Sequence, residues 1–529
     1  MVAMELKNKI SKLRIAANLS QKDLAQKLGI SQQALNKWEN GNAIPDLEHL
    51  IQIAKYFGVT LDSLVFDSNN RIVEEMVRNK PLSHAYEQNN IWELYSAGLE
   101  AEYQQSIDEG KDILDYENLF KTVSKMPSDG KKNEIADILF NIQYHAPVIA
   151  GYPYEEPSDL SEIRRLLKEN MPEMKLDRSE LAGKIEGAWM GRIAGCLLGK
   201  PIEGIRSDEL NVLLKKSNNA PMYRYILSTD VTQEMLDTFH FNLRDRCFAD
   251  KVACAPADDD TNYTAMAVWM IEHFGKDFTP NDVLQTWVCQ QGKDAYCTAE
   301  RVAYKNYIAG YRAPQTAIYK NAYREWIGAQ IRADYYGYIN PCNPILAADM
   351  AWRDASISHV KNGIYGAMYV AAMLACAAGV KNIEDIIEGG LSQVPYTSRL
   401  YESVSEILSR YREGVSQKKC VQYIHSKYDE NTEYGWCHTI PNAMIVTAAL
   451  LYGKGDFGKS IGMAVETGFD TDCNGATVGS ILGMWGGIHI IGKEWTDPLN
   501  GELETMVFDI GRKHKIKDLI ERTLAQIDE

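Results

Sequence analysis

The sequence predicts an all-α protein in two unequal parts: a small N-terminal bundle of five short helices and a large, mostly orthogonal helical domain. Three observations predict it. Apolar residues recur at helical spacing from residue 5 to 66 and again in long patterns downstream. No sustained run alternates polar and apolar residues with period two, as half-buried strands would. At 529 residues, the chain exceeds what one ordinary core holds.

In the first part, Leu24, Ala25 and Leu28, then Ala34, Leu35 and Trp38, then Leu50, Ile53 and Ala54 mark successive helix faces. Ser20 is placed to cap one helix and Ser31 the next, with Gly29 ending the first of the two. Gly41 to Pro45 reads as a turn, and Asp46 as the cap beyond it. This part is expected to occupy residues 1–67.

Residues 68–170 are expected to form a helical connector. Up to residue 150 they are polar and helix-favouring, without a chemical motif, and suit either a linker or a dimerisation element. The Pro-rich stretch from Gly151 to Asp159 is non-helical punctuation. The large domain is then expected over 171–529. Two of its segments, Gly363–Gly379 and Gly475–Gly492, could be mistaken for membrane spans. Both are rich in Gly and Ala and short of about 20 strongly apolar residues, so buried helices are expected and no membrane contact. Gly475, Gly479, Gly483 and Gly487 form a stripe suited to close helix packing.

The net charge of −16 argues against wholesale nucleic-acid binding, but it is unevenly spread. Residues 1–67 hold eight Lys/Arg against seven Asp/Glu, so nearly all the negative charge lies downstream. Only the first part can approach DNA without opposing its own field. All ten cysteines fall between Cys196 and Cys473 with no CxxC pair, and several, such as Cys376, sit in apolar runs. That pattern suits free thiols in a reducing compartment. With no apolar signal-peptide core at the N-terminus, a cytoplasmic location is expected.

The string from Leu19 to Leu64 resembles the phage-repressor-like helix-turn-helix family. Gln21, Ala25, Gly29, Ile30, Trp38, Glu39, Gly41 and Pro45 all fall in register. The resemblance implies a second helix that enters the major groove of DNA. Its outward residues would be Gln32, Gln33, Asn36 and Lys37. Gln and Asn can pair bidentately with adenine, and Lys37 can reach guanine or a phosphate. Gln21, near a helix start, would hold a phosphate. One near-neutral module binds weakly, so a homodimer on a two-fold site is expected.

Two acidic clusters stand far apart in the large domain, Asp258-Asp259-Asp260-Thr261 and Asp470-Thr471-Asp472-Cys473. Each opens an apolar helix. One Asp would serve as a cap, but clustered carboxylates beside buried helices repel one another unless cations lie between them. Oxygen-rich sites of this kind suit Mg²⁺ or Mn²⁺.

At these residues the chain resembles the ADP-ribosylglycohydrolase family, which carries Thr-Asp-Asp-Thr early and Asp-Thr-Asp-Thr late. Three further elements follow in order. The Gly-rich stretch from Gly187 ends in Glu203, the stretch Gly328 to Gly337 has the spacing of the family's substrate loop, and Asp354 to His359 matches a helix start. The resemblance implies two divalent cations, Mg²⁺ or Mn²⁺, held by Asp259, Asp260, Asp470 and Asp472, with Asp258 adjoining. It also implies an ADP-ribose-like or other ribosyl substrate, bound by Gly328, Arg332 and His359, with Arg332 gripping a diphosphate. Glu203, Asp259 and Asp472 would then be catalytic, handling the proton and an oxocarbenium-like state.

The chain departs from the family at three positions. Asp258 stands where the family has Thr, Cys473 where it has Thr, and Cys196 where it has Asp. A thiol is a poor ligand for a hard cation. Two readings follow: a metal-dependent hydrolase of a ribosyl glycosidic bond fused to a DNA-binding domain, or a transcription regulator whose pocket binds a nucleotide or ribosyl ligand without turnover. The segment Trp436 to Asn442 is expected to line a pocket.

Overall fold

A computed structural model of the protein describes residues 2–65, 85–86 and 89–528. The chain divides into two compact units, Met1–Ala85 and Tyr86–Glu529.

The first unit is built from α1 (Val2–Ala16), α2 (Gln21–Lys27), α3 (Gln32–Glu39), α4 (Leu47–Phe57) and α5 (Leu61–Val65). Its boundaries follow the expected caps. The Ser20 hydroxyl accepts from the Asp23 amide while Asp23 reaches back, and Ser31 and Asp46 accept from Ala34 and His49. Gly29 takes φ +68°, which ends α2 in the left-handed region that an L side chain resists. Leu6, Ile10, Leu24, Leu35, Ile53 and Leu64 form the core. Residues 66–67 of the expected head and 68–84 of the expected connector lie outside the described residues.

The rest of the expected connector is no linker. From Tyr86 onward it belongs to the large unit. Three helices, α6 (Leu99–Asp108), α7 (Glu117–Ser124) and α8 (Gly130–His145), share a small core of Leu99, Phe120, Leu139 and Phe140. Buried charge ties them down, for Arg324 donates to Glu102 and Glu109 at 2.8 Å each. The Pro-rich stretch is non-helical as expected, and Glu156 within it accepts from Arg399 at 2.8 Å and from Asn362 at 2.9 Å. Partners so distant in sequence explain why residues 86–170 read as featureless.

The centre of the large unit is a pair of glycine-striped helices, α9 (Leu181–Gly199) and, near the chain's end, α13 (Thr471–Gly486). Between them in sequence come α10 (Asp259–Phe274), α11 (Lys361–Ala377) and α12 (Thr439–Gly453). Gly187, Gly191 and Gly195 of α9 face Gly483, Gly479 and Gly475 of α13, backbone against backbone, with no room for a Cβ at any of the six. Small residues every fourth position permit this approach, and the two helices can run in contact along their length. The apolar run of α11 is buried from Asn362 to Ala377. Among the described residues no helix is long and apolar enough to cross a membrane. The β structure among them is one short antiparallel pair, β1 (Glu502–Glu504) with β2 (Lys513–Lys515).

Candidate active site

The α9–α13 contact sets the site. Past Gly187, Gly191 and Gly195, the next glycine of α9 is Gly199, where a Cβ would collide with the backbone of Thr471 and Asp472. The 3₁₀ turn Lys200–Ile202 and then Glu203 therefore follow directly from a residue packed on the start of α13. Helix α10 adds its own start, where Asp258 is the N-cap and accepts from the Asp260 amide at 2.9 Å.

Two acidic helix starts thus meet. Ligand-type atoms of Asp260, Asp472 and Cys473 all lie within 4.8 Å of one another, as do those of Cys196, Asp258 and Asp260. Asp260 belongs to both groups. Of the five Asp expected to bind metal, these groups contain Asp258, Asp260 and Asp472. Asp259 and Asp470 fall outside both, though their charges act on the same cluster.

Basic residues balance part of this charge. Arg192 of α9, fully buried, donates to Asp260 Oδ1 at 3.0 Å and to the two oxygens of Asp334 at 2.5 and 2.9 Å. Lys200 pairs with Asp258. Burial works to raise the Asp258 carboxyl, but Lys200 and the Asp260 amide outweigh it and hold the group below its ordinary range. The others go the opposite way. Burial, then neighbouring carboxylates, push Asp259 and Asp472 well above theirs. Glu203 is pushed to about 7 by desolvation, followed by Asp470 and Asp258, although its side chain opens to solvent at the rim. Asp260 Oδ2 and Asn474 Oδ1 are buried with no hydrogen-bond partner.

The segment Trp436 to Asn442 braces the second acidic start. Trp436 Nε1 donates to the Phe469 carbonyl at 2.5 Å, and Asn442 Oδ1 accepts from the Asp470 amide at 3.2 Å and from Asn474 at 2.8 Å. The Cys437 thiol donates to Asp470 Oδ2 at 3.7 Å.

The three expected substrate residues are placed differently. Arg332 is 1% exposed, and its guanidinium is taken up by Glu300 at 2.6 Å, Ser358 at 2.7 Å and Asp354. A diphosphate at this guanidinium would have to compete with these internal partners for its donors. Gly328 is a glycine because a Cβ there would overlap the Glu300 carboxylate. Burial lifts the Glu300 carboxyl to about 6 against the pull of Arg332. His359 is buried with Nδ1 2.8 Å from the Ser358 hydroxyl and Nε2, without a hydrogen-bond partner, 3.9 Å from Glu300 Oε1. Burial, followed by the Arg332 charge, holds its pKa well below the usual value.

Arg192, Lys200 and Glu300 escaped the reading of the sequence, and Asn442 entered it only as the end of a segment expected to line a pocket. A lone Arg in the apolar run of α9 was the available signal for Arg192, since a cation buried there requires an anionic partner. Nothing local marks Glu300.

In the head, Gln32, Gln33, Asn36 and Lys37 are all exposed on α3, opposite buried Leu35 and Trp38. Gln21 differs, for its amide donates to Glu39 at 2.7 Å, and Glu39 also takes Arg14 at 2.6 Å.

Comparison with known proteins divides the chain the same way. Residues 177–528 match the family described as ADP-ribosylglycohydrolase, and residues 10–64 match the helix-turn-helix family. Among curated proteins, the HTH-type transcriptional activator BcrR of Enterococcus faecalis is 44% identical over 62 residues, 12% of this chain and 30% of that protein. A transcriptional regulator of Methanocaldococcus jannaschii is 42% identical over 59 residues, 11% of this chain and 89% of that one. The phage repressor RstR of Vibrio cholerae is 33% identical over 69 residues, 13% of this chain and 62% of that one. A solved ADP-ribosylglycohydrolase-related protein complex aligns with TM-score 0.41 at 17% identity, over 66% of this chain and 98% of that one.

Proposed function

Because the chain belongs to the ADP-ribosylglycohydrolase family and carries a helix-turn-helix domain, we propose that it is a divalent-cation-dependent hydrolase of an ADP-ribosyl or related ribosyl glycosidic bond, directed to DNA by its head. The observation that carries the reading is the meeting of Asp260 and Asp472, from two helix starts far apart in sequence, beside the carboxyl of Glu203.

The donor set fits a cation. Asp260 and Asp472 bring carboxylates, Asp260 Oδ2 is buried without a hydrogen-bond partner, and burial, followed by the neighbouring carboxylates, pushes Asp259 and Asp472 well above their ordinary range, a cost that a cation would relieve. Asp260 and Asp472 would hold the ion, with Asp258, Asp259 and Asp470 adjoining. A divalent ion there supplies Lewis acidity and an activated water.

The chain's own groups do the rest. With a pKa of about 7, Glu203 has a proton to give the leaving atom at neutral pH and, once ionised, can take one from the attacking water. Asp259 and Asp472 face positive charge developing at the anomeric carbon. Arg192 fixes one oxygen of Asp260 and leaves the other for the site. On the head, exposed Gln32, Gln33, Asn36 and Lys37 of α3 would read base edges, and Gln21, held by Glu39, would meet the backbone.

The test is incubation of the full chain, with Mg²⁺, Mn²⁺ or Zn²⁺, with a panel of ADP-ribosylated amino acids, ADP-ribosylated nucleic acids and nucleosides. Release of a ribosyl product that stops on chelation is the expected result. The thiols of Cys196 and Cys473 favour a second reading, a regulator that senses such a ligand without cleaving it. Tight binding of one member of the panel with no product would establish that reading in place of the first.

A further inference from the structure

We infer that the cation site takes one ion of the borderline, thiolate-accepting class (zinc(II), cobalt(II) or iron(II)), bound by Asp260, Asp472 and Cys473, in place of a pair of magnesium-class ions. The inference rests on the cation reading proposed above and narrows which ion it is.

Two thiols lie among the carboxylates, each completing a set of three ligand atoms within 4.8 Å of one another, and all five residues are at least nine-tenths buried. Filling space explains Cys376, whose helix is buried and apolar throughout, but Cys196 and Cys473 face Asp side chains. An independent observation points to a ligand. Asp260 is fully buried and its Oδ2 has no partner, while its Oδ1 is satisfied by Arg192. A buried carboxylate oxygen left bare is costly, and a cation beside it removes that cost.

The donor chemistry then selects the ion. Magnesium and manganese favour all-oxygen shells, whereas a thiolate beside carboxylates suits zinc, cobalt or iron. Three protein ligands with a fourth position open is the arrangement of catalytic zinc sites. The two sets are unequal. In the Cys196 set, Asp258 already has Oδ2 engaged by Lys200 and Oδ1 by the Asp260 amide, so little of it remains for an ion. In the Cys473 set, Asp472 has one oxygen accepting a weak amide contact from Cys473 at 3.1 Å. The ion therefore belongs with Cys473.

The experiment uses the chelator-treated full chain titrated with cobalt(II). The expected spectrum has visible ligand-field bands together with a near-ultraviolet sulfur-to-cobalt band, saturating at one equivalent. Cys473→Ser should abolish the sulfur band, whereas Cys196→Ser and the exposed Cys289→Ser should keep it. Zinc should displace the cobalt and magnesium should not, and Cys473→Thr should narrow the zinc-over-manganese preference by about tenfold or more. Ligand-field bands without a sulfur band, loss of that band in Cys196→Ser only, or displacement by magnesium at similar concentration would each overturn the inference while leaving the cation reading intact. Failure of cobalt, zinc, manganese and magnesium alike to bind would remove both. The cobalt spectrum of the unaltered chain decides the matter even if a variant misfolds.

Discussion

Gly191 of α9 and Gly479 of α13 are packed so closely that a Cβ on either would lie 2.1 Å from the other's carbonyl oxygen, far inside van der Waals contact. The neighbouring atoms are backbone, which cannot rotate away. This contact is the spine along which Gly199 reaches Asp472, so it couples fold stability to the geometry of the site.

Gly479→Ala is accordingly expected to be destabilising despite the higher helix propensity of Ala. Overpacking a buried contact costs about 1–3 kcal/mol, against about 1 kcal/mol gained from propensity. Denaturant unfolding of the full chain should show the loss, and divalent-ion affinity should fall with it because α13 can separate from α9 only by moving Asp472. A stable variant with unchanged affinity would refute the spine.

Glu203→Gln removes the proposed proton carrier but keeps shape and hydrogen-bonding capacity. The rate constant for hydrolysis should drop by about 10²–10⁴-fold, with binding of the unreacted substrate kept. Because Gln also lowers the negative charge of the cluster, stability should not suffer. An unchanged kcat would assign the proton to another group.

The stripe on α13, the caps of the head and the two acidic helix starts were all legible in the sequence, because each is written in residues close together. What the sequence could not give is which distant partner each feature meets. The acidic starts converge where α9 packs on the start of α13 and holds Asp260 through Arg192, and the pairing of Gly191 with Gly479 cannot be read from either stripe alone. Arg332 shows the same limit from the other side. Its motif spacing resembles that of a substrate loop, yet Glu300, Asp354 and Ser358 take its donors, and none of them is near enough in sequence to announce it.

Arg332 is thus expected to behave as a structural cation. Arg332→Ala would leave Glu300 and Asp354 buried without their partner, a loss of about 3–5 kcal/mol of stability. Chemical denaturation should report it, while the folded fraction should keep an ordinary KM for a diphosphate-bearing substrate. A large rise in KM with little loss of stability would restore the diphosphate role.

Glu300 makes a pH prediction with a definite sign. Its folded pKa of about 6 lies above the ordinary 4.5, so the unfolded chain gives up this proton first as pH rises. Its contribution is favourable below about pH 4.5, declines as pH rises to about 6 and is flat beyond. Glu300→Gln, which cannot ionise, should lack that decline. The difference in unfolding free energy between the two proteins, measured at intervals from pH 4 to 7, should therefore shift in favour of the variant as pH rises. A difference that does not vary with pH would mean that folding leaves the Glu300 pKa at its ordinary value, whereas a shift in favour of the unaltered chain would mean that Arg332 keeps Glu300 ionised throughout.

The head should bind DNA weakly as a single module, since residues 1–67 carry eight basic against seven acidic side chains. Useful affinity then requires two heads on one two-fold site, so occupancy of promoter DNA from the protein's own neighbourhood should rise more steeply than a single-site isotherm. The exposed residues of α3 divide by chemistry. Gln33→Ala removes a group able to pair with adenine and should cost about 1–3 kcal/mol on the preferred site, with little effect on unrelated DNA. Lys37→Ala should weaken all sequences similarly and flatten the salt dependence if its contact is a phosphate, or behave like Gln33→Ala if it reads guanine. Gln21 is held by Glu39, so Glu39→Gln should disturb DNA binding indirectly, by freeing Gln21 and breaking the Arg14 pair together. Electrophoretic mobility shifts of the full chain at two salt concentrations separate these outcomes, and indifference to every promoter fragment would remove the DNA role from the head.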